Sequence, residues 1–535
     1  MSVERSDATL RLNDGTELLS DLWTPAGQGP WPALLMRQPY GRRIASTVTL
    51  AHPSWWAEQG YLVVVQDVRG QGDSAGRFTG FDQEAVDTAE THAWVRNLPH
   101  CNGRLGCYGF SYQGLTQLVA SDGATPPDCM APAMTGLNER DHWSCEGGAH
   151  WWHLGLGWGL QLAALKASRD GDQDAWLAIR QSLESGSYLR DGPSLLASHD
   201  PDGMAWRWLR QDPQKEAVWT QHTCSKDWLQ RPMLLIGGWW DPHLLGILDL
   251  WTRSLEAGGE PQLHIGPATH LQWWSQAQHL LLGFFDQHLK GGSTKPQGNG
   301  IRLWNLTRME WKTSSVDSVV DSVPPRTPRT WNLIADGLAC LDQDHGLLDH
   351  ARPSEGVVCV VHDPWRPVPA VGGHLSPSAG AADRSGIDCR GDVACFTSDA
   401  LEECLTLEGQ PMLMLQASAD QPGFDLCVAL SRLPSDSVAA EQLSTGVLRV
   451  CGEAARTRAS YRIRLQPLLA SLFPGDRLRV SIAAAAWPAI GINPGDPLIA
   501  CGAPSAQHRV VSMTLHLAGS QLGLIPFTSG KLDCN

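Results

Sequence analysis

Three residues in a fixed order along this chain have the types needed for acyl-transfer chemistry: a serine, then an acid, then a histidine. Ser111 stands in Leu105-Gly-Cys-Tyr-Gly-Phe-Ser-Tyr-Gln-Gly-Leu-Thr-Gln-Leu-Val-Ala120, where apolar residues lead into a Gly-flanked serine and a helix-like run follows. That is the layout of a strand, a sharp turn and a helix with the serine at the apex. The strained turn needs small neighbours. Gly109 sits two before Ser111, but the position two after is Gln113, and Gly114 comes one later. A serine hydroxyl is a poor nucleophile without a base in reach, and the base needs an orienting carboxylate. Asp241, closing Gly237-Gly-Trp-Trp-Asp241, and His270, closing Gly266-Pro-Ala-Thr-His270, supply them in the order serine, acid, histidine. The rivals are less well placed: Asp249 reads as a solvated helix residue, His264 as core within a strand, and His243 and His279 as surface. The backbone N–H of Tyr112, directly after the nucleophile, is the natural first donor to an oxyanion.

The elements that must carry these residues can be read from hydrophobic pattern. Residues 8 to 23 read as a hairpin turning at Asp14-Gly15. Ala33–Met36 and Tyr61–Val65 are continuous apolar runs of the kind found in buried parallel strands, with a helix at Pro53 to Gln59 between them. Gln66-Asp-Val-Arg-Gly-Gln-Gly-Asp-Ser-Ala-Gly76 reads as a loop at a strand's carboxyl end, with Asp67 and Arg69 as an organising pair. Glu84 to Asn97 reads as an amphipathic helix with Val86, Ala89 and Ala93 on its inner face. Met233–Ile236 and Gln262–Ile265 are further strands, each running straight into one of the two loops just named. Leu244–Leu255 and Gln278–Leu289 read as helices. Strand and helix in alternation imply a parallel sheet covered on both faces. From Leu137 to Trp228 strand-like runs vanish and helical spacing takes over, as in Trp152–Ala167 and Asp174–Leu183. Beyond the Gly- and Pro-rich stretches Lys290–Gly300 and Val323–Pro328 the chain reads as all-β, with strands at Val357–Val361, Pro411–Ala417, Tyr461–Leu465, Arg477–Ala483 and Arg509–Leu517.

Gly-Phe-Ser-Tyr-Gln-Gly resembles the G-x-S-Y-x-G elbow of the CocE/NonD serine hydrolases, the cocaine esterase-like enzymes, relatives of the X-prolyl dipeptidyl aminopeptidases and α-amino acid ester hydrolases. The resemblance extends to the Asp-x-Arg-Gly string at Asp67, to Gly-Pro-x-x-His270, to Phe284–Gly291, and to Asp363–Gly373 and Phe473–Leu478. Ala268 is a departure, since relatives often carry tryptophan there. The resemblance implies an α/β-hydrolase domain in two parts, 1–136 and 230–322. It also implies a helical cap at 137–229 and a jelly-roll-like β-sandwich at 323–535. It further implies that Tyr40, in Arg37-Gln-Pro-Tyr-Gly41, gives the second oxyanion donor through its hydroxyl. No metal or organic cofactor is implied. The reaction implied is cleavage of a small ester or amide through an acyl-enzyme. The alternatives are acyl transfer to an amine or alcohol, and an X-Pro dipeptidyl peptidase or α-amino acid ester hydrolase. These last need carboxylates near the serine, for which Glu139, Asp141 and Glu146 are the candidates.

Composition narrows the partners. A chain of 535 residues exceeds one core, and 42% hydrophobic with 18% charged residues is ordinary globular usage. A net charge of −15 argues against nucleic acid and anionic membranes as partners. No apolar run is long enough to span a bilayer and the first residues form no leader-like stretch, so a cytoplasmic protein is expected; self-association is left open. The 14 cysteines are scattered without a C-x-x-C pair, so they are expected to be reduced. His150 and His153 with Glu146 do not form a convincing metal set, because they lack H-E-x-x-H spacing. The 24 tryptophans are the outlier. Most should be core, but Trp151, Trp152, Trp240 and Phe110 are candidates to line an apolar or aromatic substrate pocket.

Overall fold

The computed structural model describes residues 3–44, 49–291, 300–315 and 330–527. The linker reading of Val323–Pro328, and of Lys290–Gly300 apart from its ends, lies outside the described residues.

The first half is organised by a ten-stranded sheet. Its strands in chain order are β1 (Glu4–Arg11), β2 (Glu17–Thr24), β3 (Trp31–Gln38), β4 (Leu62–Asp67), β5 (Cys101–Phe110) and β6 (Cys129–Ala133). A two-residue pair, β7 (Cys145–Glu146) and β8 (Ala149–His150), stands apart from this sheet. The sheet resumes with β9 (Leu234–Trp240), β10 (Gln262–Thr269), β11 (Gly300–Asn305) and β12 (Glu310–Ser315). The spatial order is β1-β2-β4-β3-β5-β6-β9-β10-β11-β12. Every pairing from β4 across to β11 is parallel, and only the edges are antiparallel.

The continuous apolar runs are explained by burial on both faces. Leu34 and Met36 of β3, with Val63 and Val65 of β4, meet Trp56 of α1 (Pro53–Glu58), and Phe284 and Phe285 lie in the same core. Ala33, Leu35 and Val64 point the other way, into a core shared with Val95 of α2 (Glu84–Arg96) and Leu115 of α3 (Tyr112–Leu115).

Helix α2 corrects the sequence reading. Val86 is exposed and Ala93 faces solvent, while the inner face is Glu84, Asp87, Thr88, Thr91, His92 and Val95. Buried polar partners make this possible: Arg37 pairs with Glu84 at 2.9 Å and bonds Thr88 Oγ1 at 2.7 Å, and Arg69 pairs with Asp87 at 2.7 Å. Asp67 and Arg69 are therefore organising residues but not partners of each other. Asp67 takes Arg42 at 2.7 Å, and Arg69 bridges Asp87 to Asp14.

Between β6 and β9 lie α4 (Trp152–Asp170), α5 (Gln173–Ser185), α6 (Tyr188–His199), α7 (Met204–Arg210) and α8 (Lys226–Leu229). Helices α4 to α6 close around Leu156, Leu160, Ile179 and Leu196. Helix α9 (Leu244–Glu256) joins β9 to β10, and α10 (Ala277–Leu289) follows β10.

The C-terminal half is β-rich. Nine of its strands pair in the order Glu441–Cys451, Gly423–Leu433, Arg477–Ala483, Val393–Ser398, Gly346–Asp349, Trp331–Ala335, Val511–Pro526, Leu405–Ala419 and Ala459–Arg464. Val357–His362 and Leu468–Leu472 join on the side. The sheet wraps a core that includes Phe396, Leu413, Leu415, Phe424 and Leu426. It abuts the helices: Trp152 N donates to Ala489 O at 2.8 Å, and Trp151 packs against Leu375 and Ala489.

Candidate active site

Ser111 lies at the turn between β5 and α3 with φ 59° and ψ −127°, a left-handed conformation a serine rarely adopts. The apex is pinned from behind, because Ser111 N donates to Ala133 O and Met134 O at 3.0 and 3.1 Å, at the end of β6. The displaced glycine has a steric reason. A Cβ on Gly114 would lie 2.7 Å from Thr135 Cγ2 and 3.0 Å from Ala133 O, so the residue three after the serine is the one pressed against β6. Gly109 has φ +137°, and a Cβ there would meet Gln113 Cβ at 2.4 Å. Gln113 has room two after the serine because it folds back under the strand, where its Oε1 accepts from Phe110 N at 3.3 Å and its Nε2 donates to Gln38 Oε1 at 3.1 Å.

Asp241 and His270 follow the adjacent parallel strands β9 and β10, which places them side by side. His270 Nδ1 lies 2.6 Å from Asp241 Oδ2. The other carboxylate oxygen, Oδ1, accepts from His243 N at 2.8 Å, and Asp241 is fully buried. With Nδ1 donating to the carboxylate, the imidazole keeps Nε2 as a lone-pair base. Phe110, the neighbour of Ser111 in the chain, packs on His270 with ring centroids 5.2 Å apart. Of the rivals, Asp249 is tied to Arg253 at 2.7 Å, His264 is buried in β10, and His279 is exposed.

His243 is not the surface residue the sequence suggests. It is buried 5.0 Å from the His270 ring, between Trp143 (4.5 Å) and Trp151 (5.7 Å), and its Nδ1 donates to His142 O at 2.6 Å. Burial pushes its pKa down to about 4, against the pull of nearby Asp241, so the ring is neutral near pH 7. Nothing local in the sequence signals this, because the residues that cover it come from the region between β6 and α4.

Two hydrogen-bond donors flank the serine. The Tyr112 N–H begins α3 and has no backbone acceptor among the described residues. The Tyr112 side chain is anchored far below, its hydroxyl 2.8 Å from Glu84 Oε1, and burial raises the Glu84 pKa against the opposing pull of Arg37. Tyr40 turns its hydroxyl to the site. Trp158 Nε1 donates to it at 3.1 Å, and the Ser111 side chain is its other polar contact. Burial pushes the Tyr40 pKa up to about 12, only partly offset by those two bonds, so the phenol keeps its proton at neutral pH. Helical periodicity places Trp158 on α4, but no sequence signal gives it Tyr40 as a partner.

The aromatic candidates separate. Trp151 and Phe110 pack directly on His243 and His270. Trp240 ends β9 beside Asp241 and is partly exposed. Trp152 lies elsewhere: its Nε1 donates to Leu189 O at 2.8 Å and its ring rests over Gly491 and Gly502, so it fills the seam between the helices and the C-terminal strands. Trp143 and Trp158, not singled out from sequence, lie 6.1 Å apart in the same cluster, and Trp158 stacks on Trp208 at 5.7 Å. Glu146 bonds His374 and Gln466, His150 approaches Cys145 Sγ at 3.5 Å, and His153 bonds Tyr188. None of the described cysteines forms a disulfide. Among the described residues no helix is long and apolar enough to cross a membrane.

A parallel sheet with a serine on a strained strand-to-helix turn defines an α/β-hydrolase-fold serine hydrolase. Residues 14–272 match the family model described as X-Pro dipeptidyl-peptidase (S15 family), and residues 295–515 match that of the X-Pro dipeptidyl-peptidase C-terminal non-catalytic domain. The chain belongs to this family of serine hydrolases, and it is similar to cocaine esterase of Rhodococcus sp. (strain MB1 Bresler), with 25% identity over 529 residues, 90% of this chain and 91% of that protein. Among solved structures, an aminopeptidase from a marine sediment archaeon (Thaumarchaeota archaeon) matches with a TM-score of 0.74 at 20% identity, covering 98% of this chain and 96% of the other. A CocE/NonD family hydrolase from Staphylococcus aureus matches at 0.69 and 16%, covering 98% and 93%, and an α-amino acid ester hydrolase at 0.69 and 18%, covering 98% and 96%. At these identities the structural matches speak for the fold.

Proposed function

We propose that this enzyme hydrolyses small esters or amides with a neutral, apolar or aromatic acyl part, with Ser111 as nucleophile, His270 as base and Asp241 as its orienting acid. The observation that carries this reading is the 2.6 Å contact between His270 Nδ1 and Asp241 Oδ2, at the carboxyl ends of the parallel strands β9 and β10, which lie beyond β6 from the elbow strand β5. In the cycle, His270 Nε2 takes the Ser111 proton as Oγ attacks the carbonyl carbon. The Tyr112 N–H and Tyr40 hydroxyl stabilise the oxyanion. His270 then returns the proton to the leaving group. Water, deprotonated by the same nitrogen, releases the acid and restores the serine.

The neutral acyl part is favoured by how the candidate carboxylates are used. Glu139 already takes Arg207 and His222 at 3.1 Å each and Trp208 Nε1 at 2.8 Å. Asp141 pairs with Arg140 at 2.8 Å, and Glu146 holds His374 and Gln466. Each of the three already holds a protein donor, which disfavours capture of a substrate ammonium. The rings packed on His270 are instead the Phe110 phenyl and the His243 imidazole, the latter lying between the Trp143 and Trp151 indoles. A fluorophosphonate probe tests the core of the reading: it should label the native enzyme and fail to label Ser111→Ala. Labelling that survives in Ser111→Ala would remove Ser111 as nucleophile. A panel pairing phenylacetyl and benzoyl esters with aminoacyl esters and X-Pro anilides tests the acyl preference, and faster turnover of the last two would overturn it.

A further inference from the structure

The bond between Trp158 and Tyr40 decides where a proton points. An indole N–H can only donate, so across the 3.1 Å from Trp158 Nε1 the phenolic oxygen is necessarily the acceptor. Tyr40 has one proton of its own. With the Trp158 N–H donating to the oxygen, the Tyr40 proton is not directed at Trp158 and is available on the side of Ser111, the other polar side chain at this hydroxyl. A hydroxyl that accepts one hydrogen bond is also polarised into a stronger donor of the next.

Trp158 is itself held from behind. It lies inside α4 and stacks on Trp208 with centroids 5.7 Å apart and planes 29° apart. Trp208 is fixed by its own Nε1 donating to Glu139 Oε2 at 2.8 Å, and the buried Glu139 also holds Arg207. The line of contacts runs from the buried carboxylate through two stacked indoles to the phenol.

We infer that Trp158 is a positioning residue that aims the Tyr40 proton at the oxyanion formed on Ser111. This rests on the reading of Tyr40 as an oxyanion donor. Helix α4, which carries Trp158, and the donor that stabilises charge are then one mechanical unit. Displacing α4 weakens transition-state binding even when the triad stays in place.

The test is a double-mutant cycle on p-nitrophenyl butyrate hydrolysis. Trp158 is replaced by β-(3-benzothienyl)alanine, which keeps the ring shape and loses the N–H, and by Trp158→Phe as a second variant. Each is made in the native and in the Tyr40→Phe background. The expected result is a kcat about 10-fold lower with KM changed by less than about two-fold in the native background, and no further loss in Tyr40→Phe. An equal loss in both backgrounds overturns the inference, as does a rise in KM with kcat kept. If Tyr40→Phe alone lowers kcat and the benzothienyl variant does not, only the role of Trp158 falls. If Tyr40→Phe alone has no effect, the oxyanion reading of Tyr40 falls and takes this inference with it.

Discussion

Asp241 divides its two oxygens between His270 and the backbone of His243: Oδ2 takes the imidazole Nδ1 at 2.6 Å and Oδ1 takes the amide at 2.8 Å. The second bond fixes the carboxylate plane, and the plane fixes the imidazole. Asp241→Asn, with its one oxygen still accepting from the His243 amide, should present an NH₂ to His270. The imidazole then loses the preference for Nδ1–H that leaves Nε2 as a base. We expect kcat to fall about 10⁴-fold with the fold intact by circular dichroism. A loss smaller than about 10-fold would exclude Asp241 as the orienting acid.

His243 contributes through its backbone to Asp241 and through its side chain to packing. His243→Phe should keep a ring against Trp143 and Trp151 but leave His142 O without its donor. The expected cost is about 1–3 kcal/mol of stability, read by chemical denaturation. Because the amide bond to Asp241 survives, kcat should fall far less than in Asp241→Asn. A loss as large as that of Asp241→Asn would mean that the imidazole of His243 takes part in the chemistry.

Tyr40 should remain a donor over the whole working range of pH. Burial raises its pKa to about 12, so the phenol loses its proton only well above neutrality and no tyrosine-linked fall in kcat/KM should appear between about pH 8 and pH 10. Removing the hydroxyl with Tyr40→Phe should lower kcat by about 10²–10³. A tyrosine-like alkaline limb near the ordinary value of about 10 would contradict the buried environment.

How much of this was legible in the sequence follows from what hydrophobic pattern can register. β3 and β4 are apolar on both faces and announce themselves. Ser111, Asp241 and His270 each sit where a buried strand stops, so their placement comes with the strands. Helix α2 is misread because its inner face is polar, matched by Arg37, Arg69 and other residues from distant elements. The strands Gly423–Leu433 and Glu441–Cys451 escape notice for a similar reason: Asp425 and Arg449 are buried only because they pair with each other at 2.7 Å. His243 and Trp158 owe their roles to His142 and Tyr40, about a hundred residues away in the chain. Distance in sequence hides such pairs from any periodicity.

Acid should destabilise the fold through its buried histidines. Burial depresses His92 and His264 to about 3, and His142, His150 and His243 to about 4. In the unfolded chain each has its ordinary value near 6.5. Below that value the unfolded chain takes up protons the fold refuses, so stability is lost as pH falls from about 6.5 toward 4. The unfolding midpoint in urea should drop between pH 7 and pH 5. His264→Gln should flatten that dependence without touching the site, and a midpoint that rises on acidification would contradict the assignment.

Gly114 gives the most direct steric test of the elbow. Its Cβ would lie 2.7 Å from Thr135 Cγ2, 2.8 Å from Thr135 Cβ and 3.0 Å from Ala133 O, and the last of these is backbone that cannot rotate away. Gly114→Ala should therefore push α3 off β6 and cost about 1–3 kcal/mol. The same push moves the Tyr112 N–H away from the oxyanion, so kcat should fall as well. Gln113→Gly would restore the generic small residue two after the serine, yet it should not rescue Gly114→Ala, because the crowded contact is with β6 and not within the turn. Partial rescue should come instead from Thr135→Ser or Thr135→Ala in the Gly114→Ala background, which removes the methyl that the new Cβ meets first but leaves the Thr135 Cβ at 2.8 Å and Ala133 O at 3.0 Å. Recovery of kcat in Gln113→Gly/Gly114→Ala but not in the Thr135 double variants would show that the glycine serves the turn itself.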